Sequence, residues 1–121
     1  MLLARAIAVA LAVLAVGGCG GLGPAAEVRG GRAEITLDDF LIRPQNLRAP
    51  AGELTVVVTN RGRLGHNLRV RDRDGEPVKV TTLLPGESAT ETVTLHKGNY
   101  KMLCTVANHE QLGMTGRLVV R

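Results

Sequence analysis

From Ala33 onward apolar side chains recur at every second position, a period that commits the chain to β-strands with one buried and one wet face. Ala33, Ile35 and Leu37 alternate with Glu34, Thr36 and Asp38, and Leu54, Val56 and Val58 alternate with Thr55, Val57 and Thr59. Leu68 and Val70 stand against Arg69 and Arg71, and Val93 and Leu95 against Thr92 and Thr94. Tyr100 and Met102 lead into Cys104 at one parity, and Gly116, Leu118 and Val120 close the chain. Turn signals separate these runs at Pro50-Ala51-Gly52, Arg61-Gly62, Asp74-Gly75, Pro85-Gly86 and Lys97-Gly98. No segment sustains a helical period. Short strands at this spacing over residues 33–121 predict an all-β fold, a two-sheet Greek-key β-sandwich with a core of small aliphatic side chains.

The residues before this pattern read as an export signal. Arg5 precedes an unbroken apolar run, Ala6 to Val16, which is shorter than the roughly 20 residues of a membrane-spanning helix. It ends in Val16-Gly17-Gly18-Cys19, which resembles the lipobox of bacterial lipoproteins. The resemblance implies a signal peptide over 1–18 and an acylated Cys19 as the first mature residue. An ordinary secretory signal or an uncleaved anchor is the alternative. Residues 19–32 are glycine-rich and without period, and are expected to be a flexible lipid-anchored linker with a reach of about 20 Å. On any of these readings the globular part, 33–121, lies outside the cytoplasm, and acylation of Cys19 would hold it at the cell membrane on its periplasmic or outer face.

The formal net charge is +4, and the only aromatic residues are Phe40 and Tyr100. That balance is too mild and too poor in stacking side chains for nucleic-acid binding. It suits anionic lipid or an acidic partner. Of the two cysteines, Cys19 would be a thioether once acylated and unable to pair. Cys104 is then a lone thiol in an oxidising compartment, where a metal or a nucleophilic role would account for it.

Cys104, His109 and Met114 form C-x4-H-x4-M. On a strand a spacing of five puts neighbours on opposite faces, about 16 Å apart. On a helix five residues turn through about 500°, leaving side chains about 140° out of line. If the three converge, the segment is a loop folded around something. His66 shares parity with core-facing Leu68 and Val70, so it points inward at a strand end, as Cys104 does at the end of its own strand. Two imidazoles, a thiolate and a thioether are the ligands of a blue-copper electron-transfer site.

These residues carry a family resemblance over roughly 33–121. Gly65-His66-Asn67 followed by Tyr100-x-Met102-x-Cys104-x4-His109-x4-Met114-x-Gly116-x-Leu118-x-Val120 resembles the cupredoxins, with ligand-loop spacing similar to the rusticyanin-like members. The resemblance implies one copper ion cycling between Cu(I) and Cu(II) on His66, Cys104, His109 and Met114. It also implies that Asn67 bonds Thr105 to tie the ligand loops together, and that the Gly65 carbonyl approaches the metal. The implied function is one-electron transport by a monomer between redox proteins, a cytochrome, oxidase or reductase, and not an enzyme activity. The chain departs from the family in its scarcity of aromatic residues.

Taken singly, Met102 reads as core, His96 as a surface residue before the Lys97-Gly98 turn, and Arg69, Arg71 and Arg73 as a solvated face. A Cys-His nucleophile would want an orienting third group and a cleft. Structural zinc would prefer more thiolate or imidazole to a thioether. Copper storage or delivery is the alternative function, but it usually exploits many exposed Met and His, and the chain has three Met in all.

Overall fold

The computed structural model describes residues 23–121. The signal read over 1–18 and the acylation at Cys19 lie outside the described residues. The elements are β1 (Ala26–Glu27), β2 (Arg32–Asp38), β3 (Leu41–Arg43), β4 (Asn46–Ala49), β5 (Gly52–Asn60), β6 (His66–Arg71), β7 (Val78–Leu83), β8 (Ser88–Leu95), β9 (Gly98–Leu103) and β10 (Thr115–Val120). They form a six-stranded sheet in the order β1-β4-β10-β9-β6-β7 and a four-stranded sheet in the order β3-β2-β5-β8. The two sheets make the expected all-β sandwich.

The alternating pattern buries as its period requires. Ala33, Ile35 and Leu37 of β2, Leu54, Val56 and Val58 of β5, and Leu118 and Val120 of β10 all line one core, with Met102 among them. Burying one such Val or Leu side chain contributes about 1.5–3 kcal/mol, so the aliphatic stripe supplies most of the core, with Tyr100 buried in it and Phe40 packed against it. Arg69 and Arg71 face outward from β6 and are half-buried; Arg71 pairs with Glu76 at 2.9 Å.

The linker expected over 19–32 needs correction in its second half. Ala26 and Glu27 pair in parallel with Leu47 and Arg48, the Val28 amide donates to the Arg48 carbonyl at 2.8 Å, and the Val28 side chain is buried. Gly30 and Gly31 have φ of 64° and 65° and turn the chain back, with Arg29 bridging Arg32. Two successive positive φ angles are what a tight hairpin turn demands. The glycines there mark a turn, and the sandwich begins near residue 26.

Strands β3, β4 and β7 carry no long alternation. β3 has three residues and β4 four, too few for a period to register. In β7 the buried positions are Val78, Val80 and Leu83, because the register slips between His66 and Leu68. One residue of β6 there, Asn67, opposes two of β7, Thr81 and Thr82, a bulge of the kind that re-aims side chains beside functional sites. His66, Asn67 and Leu68 are consecutively buried at that bulge.

Candidate metal centre

Strands β6 and β9 pair antiparallel only as far as Arg69 opposite Leu103. Beyond that point the Asn67 side chain takes over the ladder: Thr105 N–H donates to Asn67 Oδ1 and Asn67 Nδ2 donates to Thr105 Oγ1, both at 2.8 Å. The amide has one acceptor and one donor group to offer and spends both on one residue. The strand ends carrying His66 and Cys104 are thereby fixed beside one another.

The segment from Thr105 to Met114 leaves β9 and returns as β10. Its ends are tied by the Cys104 amide donating to the Met114 carbonyl at 3.1 Å. Inside it the amides of His109, Leu112 and Gly113 donate to the carbonyls of Val106, Asn108 and Glu110, and the Met114 amide donates to the His109 carbonyl. This compact turn resolves the spacing that suits neither strand nor helix. It swings His109 back over Cys104.

His66, Cys104 and His109 converge, each offering one donor atom, with all three atoms within 4.8 Å of one another. His66 Nδ1 lies 3.1 Å from His109 Nδ1, and Cys104 Sγ lies 3.7 Å from His109 Nδ1. His66 and Cys104 are fully buried, and His109 is 6 % exposed. Met114 is fully buried immediately before β10. Gly65 packs toward β7, where an added Cβ would meet Thr82 Cγ2 at 3.0 Å. His96 is exposed, as expected of a residue outside the site.

Two neighbours had no signature in the sequence. Phe40 packs against both imidazoles at ring-centroid distances of 6.3 Å from His66 and 5.0 Å from His109. Asp39 reaches His66 Nε2 with Oδ1 at 2.6 Å. The Arg63 amide donates to Asp39 Oδ2, and this bond together with the His66 contact holds the carboxyl below its ordinary range. Burial first, and then proximity to His66, lower the His109 imidazole below its ordinary range, against a smaller opposing pull from Asp39. His109 is therefore neutral at pH 7, the form that ligates a metal.

The donor set fits a copper ion. Donors about 2.0–2.3 Å from one shared ion stand ~3–4 Å apart, the scale of the separations here. Two imidazoles and a thiol in a shielded pocket match the His2Cys set of trigonal copper sites.

The family profile for the cupredoxin-like domain matches residues 5–120, and the chain belongs to that family. Among solved structures it resembles dithionite-reduced auracyanin from Roseiflexus castenholzii, with 23 % identity, TM-score 0.69, and 81 % of this chain and 99 % of that one covered. It also resembles a purple cupredoxin from Nitrosopumilus maritimus, with 25 % identity, TM-score 0.58, and 74 % and 99 % covered. A third is rusticyanin from Thiobacillus ferrooxidans, with 16 % identity, TM-score 0.64, and 78 % and 80 % covered. A search of curated protein sequences gives no significant match.

Proposed function

We propose that this protein is a mononuclear blue-copper carrier of single electrons, held by a lipid on Cys19 at the extracytoplasmic face of the membrane. The observation that carries the redox reading is the convergence of His66, Cys104 and His109 in one buried cluster. Bound copper supplies a Cu(I)/Cu(II) couple, with soft sulfur favouring the lower state and imidazole suiting the higher. The residues supply a fixed frame. Asn67 locks Cys104 to His66, the turn through Val106 to Gly113 presents His109, and Phe40 backs both rings. Met114 is the fourth donor on this reading.

His109 is the most exposed of the three converging donors, so electrons leave through its ring edge. Leu112 on the ligand turn and Leu64 beside His66 are large exposed apolar residues suited to brief docking. Arg61 and Arg63 stand exposed in the same loop as Leu64 and favour an acidic redox partner. The anchoring reading rests on the sequence of residues 1–19 alone.

Copper titration of the full-length protein with visible spectroscopy tests the redox reading. One equivalent is expected to give an intense blue colour that reduction bleaches, and Cys104→Ser is expected to abolish it. A blue Cys104→Ser protein would sink the assignment. Met114→Leu is expected to keep colour and raise the potential; an unchanged potential removes Met114 as ligand. A copper store or shuttle would instead take up Cu(I) without the thiolate-to-Cu(II) colour. For the anchor, the wild-type protein should partition into detergent and Cys19→Ala should not; a soluble protein without lipid mass rules it out.

A further inference from the structure

Asp39 stands in the turn between β2 and β3, 27 residues before His66, yet its carboxylate is built into the surroundings of that ring. Oδ1 lies 2.6 Å from His66 Nε2, and Oδ2 accepts the Arg63 amide at 2.8 Å. The Leu64 amide donates weakly to Oδ1 at 3.4 Å. The His66 side chain is fully buried, whereas that of Asp39 is 24 % exposed, so the carboxylate reaches inward from the surface to the far nitrogen of the ring. Gly62 makes room for this. A Cβ built there would overlap Asp39 Oδ1 and come within 2.7 Å of His66 Nε2. The loop leading into His66 thus donates two amides to Asp39 and withholds a side chain where the pair meets.

A carboxylate accepts and does not donate, so the proton of a neutral His66 ring belongs on Nε2. Nδ1 then turns its lone pair toward His109 and Cys104. Negative charge beyond the ring also makes Nδ1 a stronger base. A more basic ligand favours the more highly charged state of a bound ion.

We propose that Asp39 is the positioning residue of the centre: its hydrogen bond fixes His66 as the Nε2–H tautomer and lowers the reduction potential of bound copper. The potential half of this inference rests on the copper reading of the site, and the tautomer half does not. Asp38 is the natural control. It carries the same charge one residue earlier, but its carboxylate faces Arg43 at 3.0 Å.

The test uses the full-length protein in detergent, with copper as the probe. Asp39→Asn is expected to change the relative affinity for the two copper states about tenfold, a rise in potential of about 59 mV for one electron. Gly62→Ala keeps the carboxylate but wedges the pair apart, and should raise the potential as well. Asp38→Asn should shift it by less than half as much. In the metal-free protein, 15N spectra should place the His66 proton on Nε2, and Asp39→Ala should mix the tautomers. An unchanged potential in both Asp39→Asn and Gly62→Ala, or an equal shift in Asp38→Asn, overturns the tuning role. A His66 proton on Nδ1 in the wild type overturns the positioning role. If the wild type never turns blue, the copper reading fails, and the tautomer still decides what Asp39 does.

Discussion

The two ends of the sandwich are held together by different kinds of bond. At the end away from the metal ligands, the β6–β7 and β8–β9 turns tie themselves. Asp72 Oδ1 accepts the amides of Asp74 and Gly75, Arg71 pairs with Glu76, and the Tyr100 hydroxyl donates to the His96 carbonyl. Every one of these bonds joins residues two to five apart. At the ligand end Asn60 also bonds locally to Leu64 and Gly62, but long spans are added: Asn60 to Leu83 over 23 residues, Asp39 to Arg63 over 24, His66 to Asp39 over 27 and Asn67 to Thr105 over 38. Leu64, Leu84 and Leu112, the large exposed apolar residues among those described, also sit in loops at this end. At the far end these two turns hold themselves, while the chain terminus is tied separately by Arg121 pairing with Glu27 across 94 residues. At the other, each loop is shaped by side chains from its neighbours, which is what a preorganised site requires.

Substitutions at the ligand end should therefore have the larger effects. His66→Ala is expected to weaken copper binding by more than 100-fold, whereas His96→Ala at the other end leaves it unchanged; competitive chelator titration measures both. Equal affinities would erase the distinction. Next in size is Asn60→Ala. Asn60 is fully buried, donates to the Leu64 and Leu83 carbonyls at 2.8 Å and accepts the Gly62 amide at 2.9 Å. Its loss should cost about 2–3 kcal/mol in denaturant unfolding, since buried backbone groups lose their partners. Asp74→Ala, whose pairing with Arg73 is almost wholly solvent-exposed, should stay within about 0.5 kcal/mol.

A subtler contrast is kinetic. Reversing Arg61 and Arg63 to Glu should slow electron exchange with an acidic partner and flatten its salt dependence, with colour and potential nearly untouched, because screening acts over about 8 Å at physiological ionic strength. Stopped-flow rates indifferent to salt and to both substitutions would put docking elsewhere. The smallest effect concerns pH. The folded value of His109 is lowered from the ordinary 6.5, so the unfolded chain binds a proton more readily. Metal-free stability should therefore be complete above that ordinary value, fall as pH drops below it, and level off once the lowered folded value is passed. Unfolding midpoints across pH, compared with those of His109→Gln, read this directly.

What the sequence discloses divides along the same line. Cys104 and His109 are legible because they share one short segment whose spacing defies regular structure, and His66 because a strand's parity aims it inward. The long runs of β2, β5 and β10 announced themselves by period two. Asp39 and Phe40 did not, since a turn residue far from His66 in the chain has no spacing to betray it. The glycines at 30 and 31 read as tether because composition cannot tell a linker from a tight turn; only the burial of Val28 decides it. β7 stayed hidden because its bulge breaks the alternation.

The clasp between Asn67 and Thr105 has a consequence for how the molecule comes into being. Closing a loop of 38 residues has an entropic cost that grows as (3/2)RT ln n, about 3 kcal/mol before any constant. Within that loop the chain must finish β7, cross to the other sheet for β8, and come back for β9. Chains dominated by such distant pairings fold in milliseconds to seconds, since the entropy of closing the loop comes before the contacts that reward it. An ion arriving earlier meets Cys104 and His109 without His66. The complete three-donor set exists only once that loop is closed, so a bound ion acts as a latch on the closed chain, adding about 4 kcal/mol against unfolding when present at a thousand times its dissociation constant.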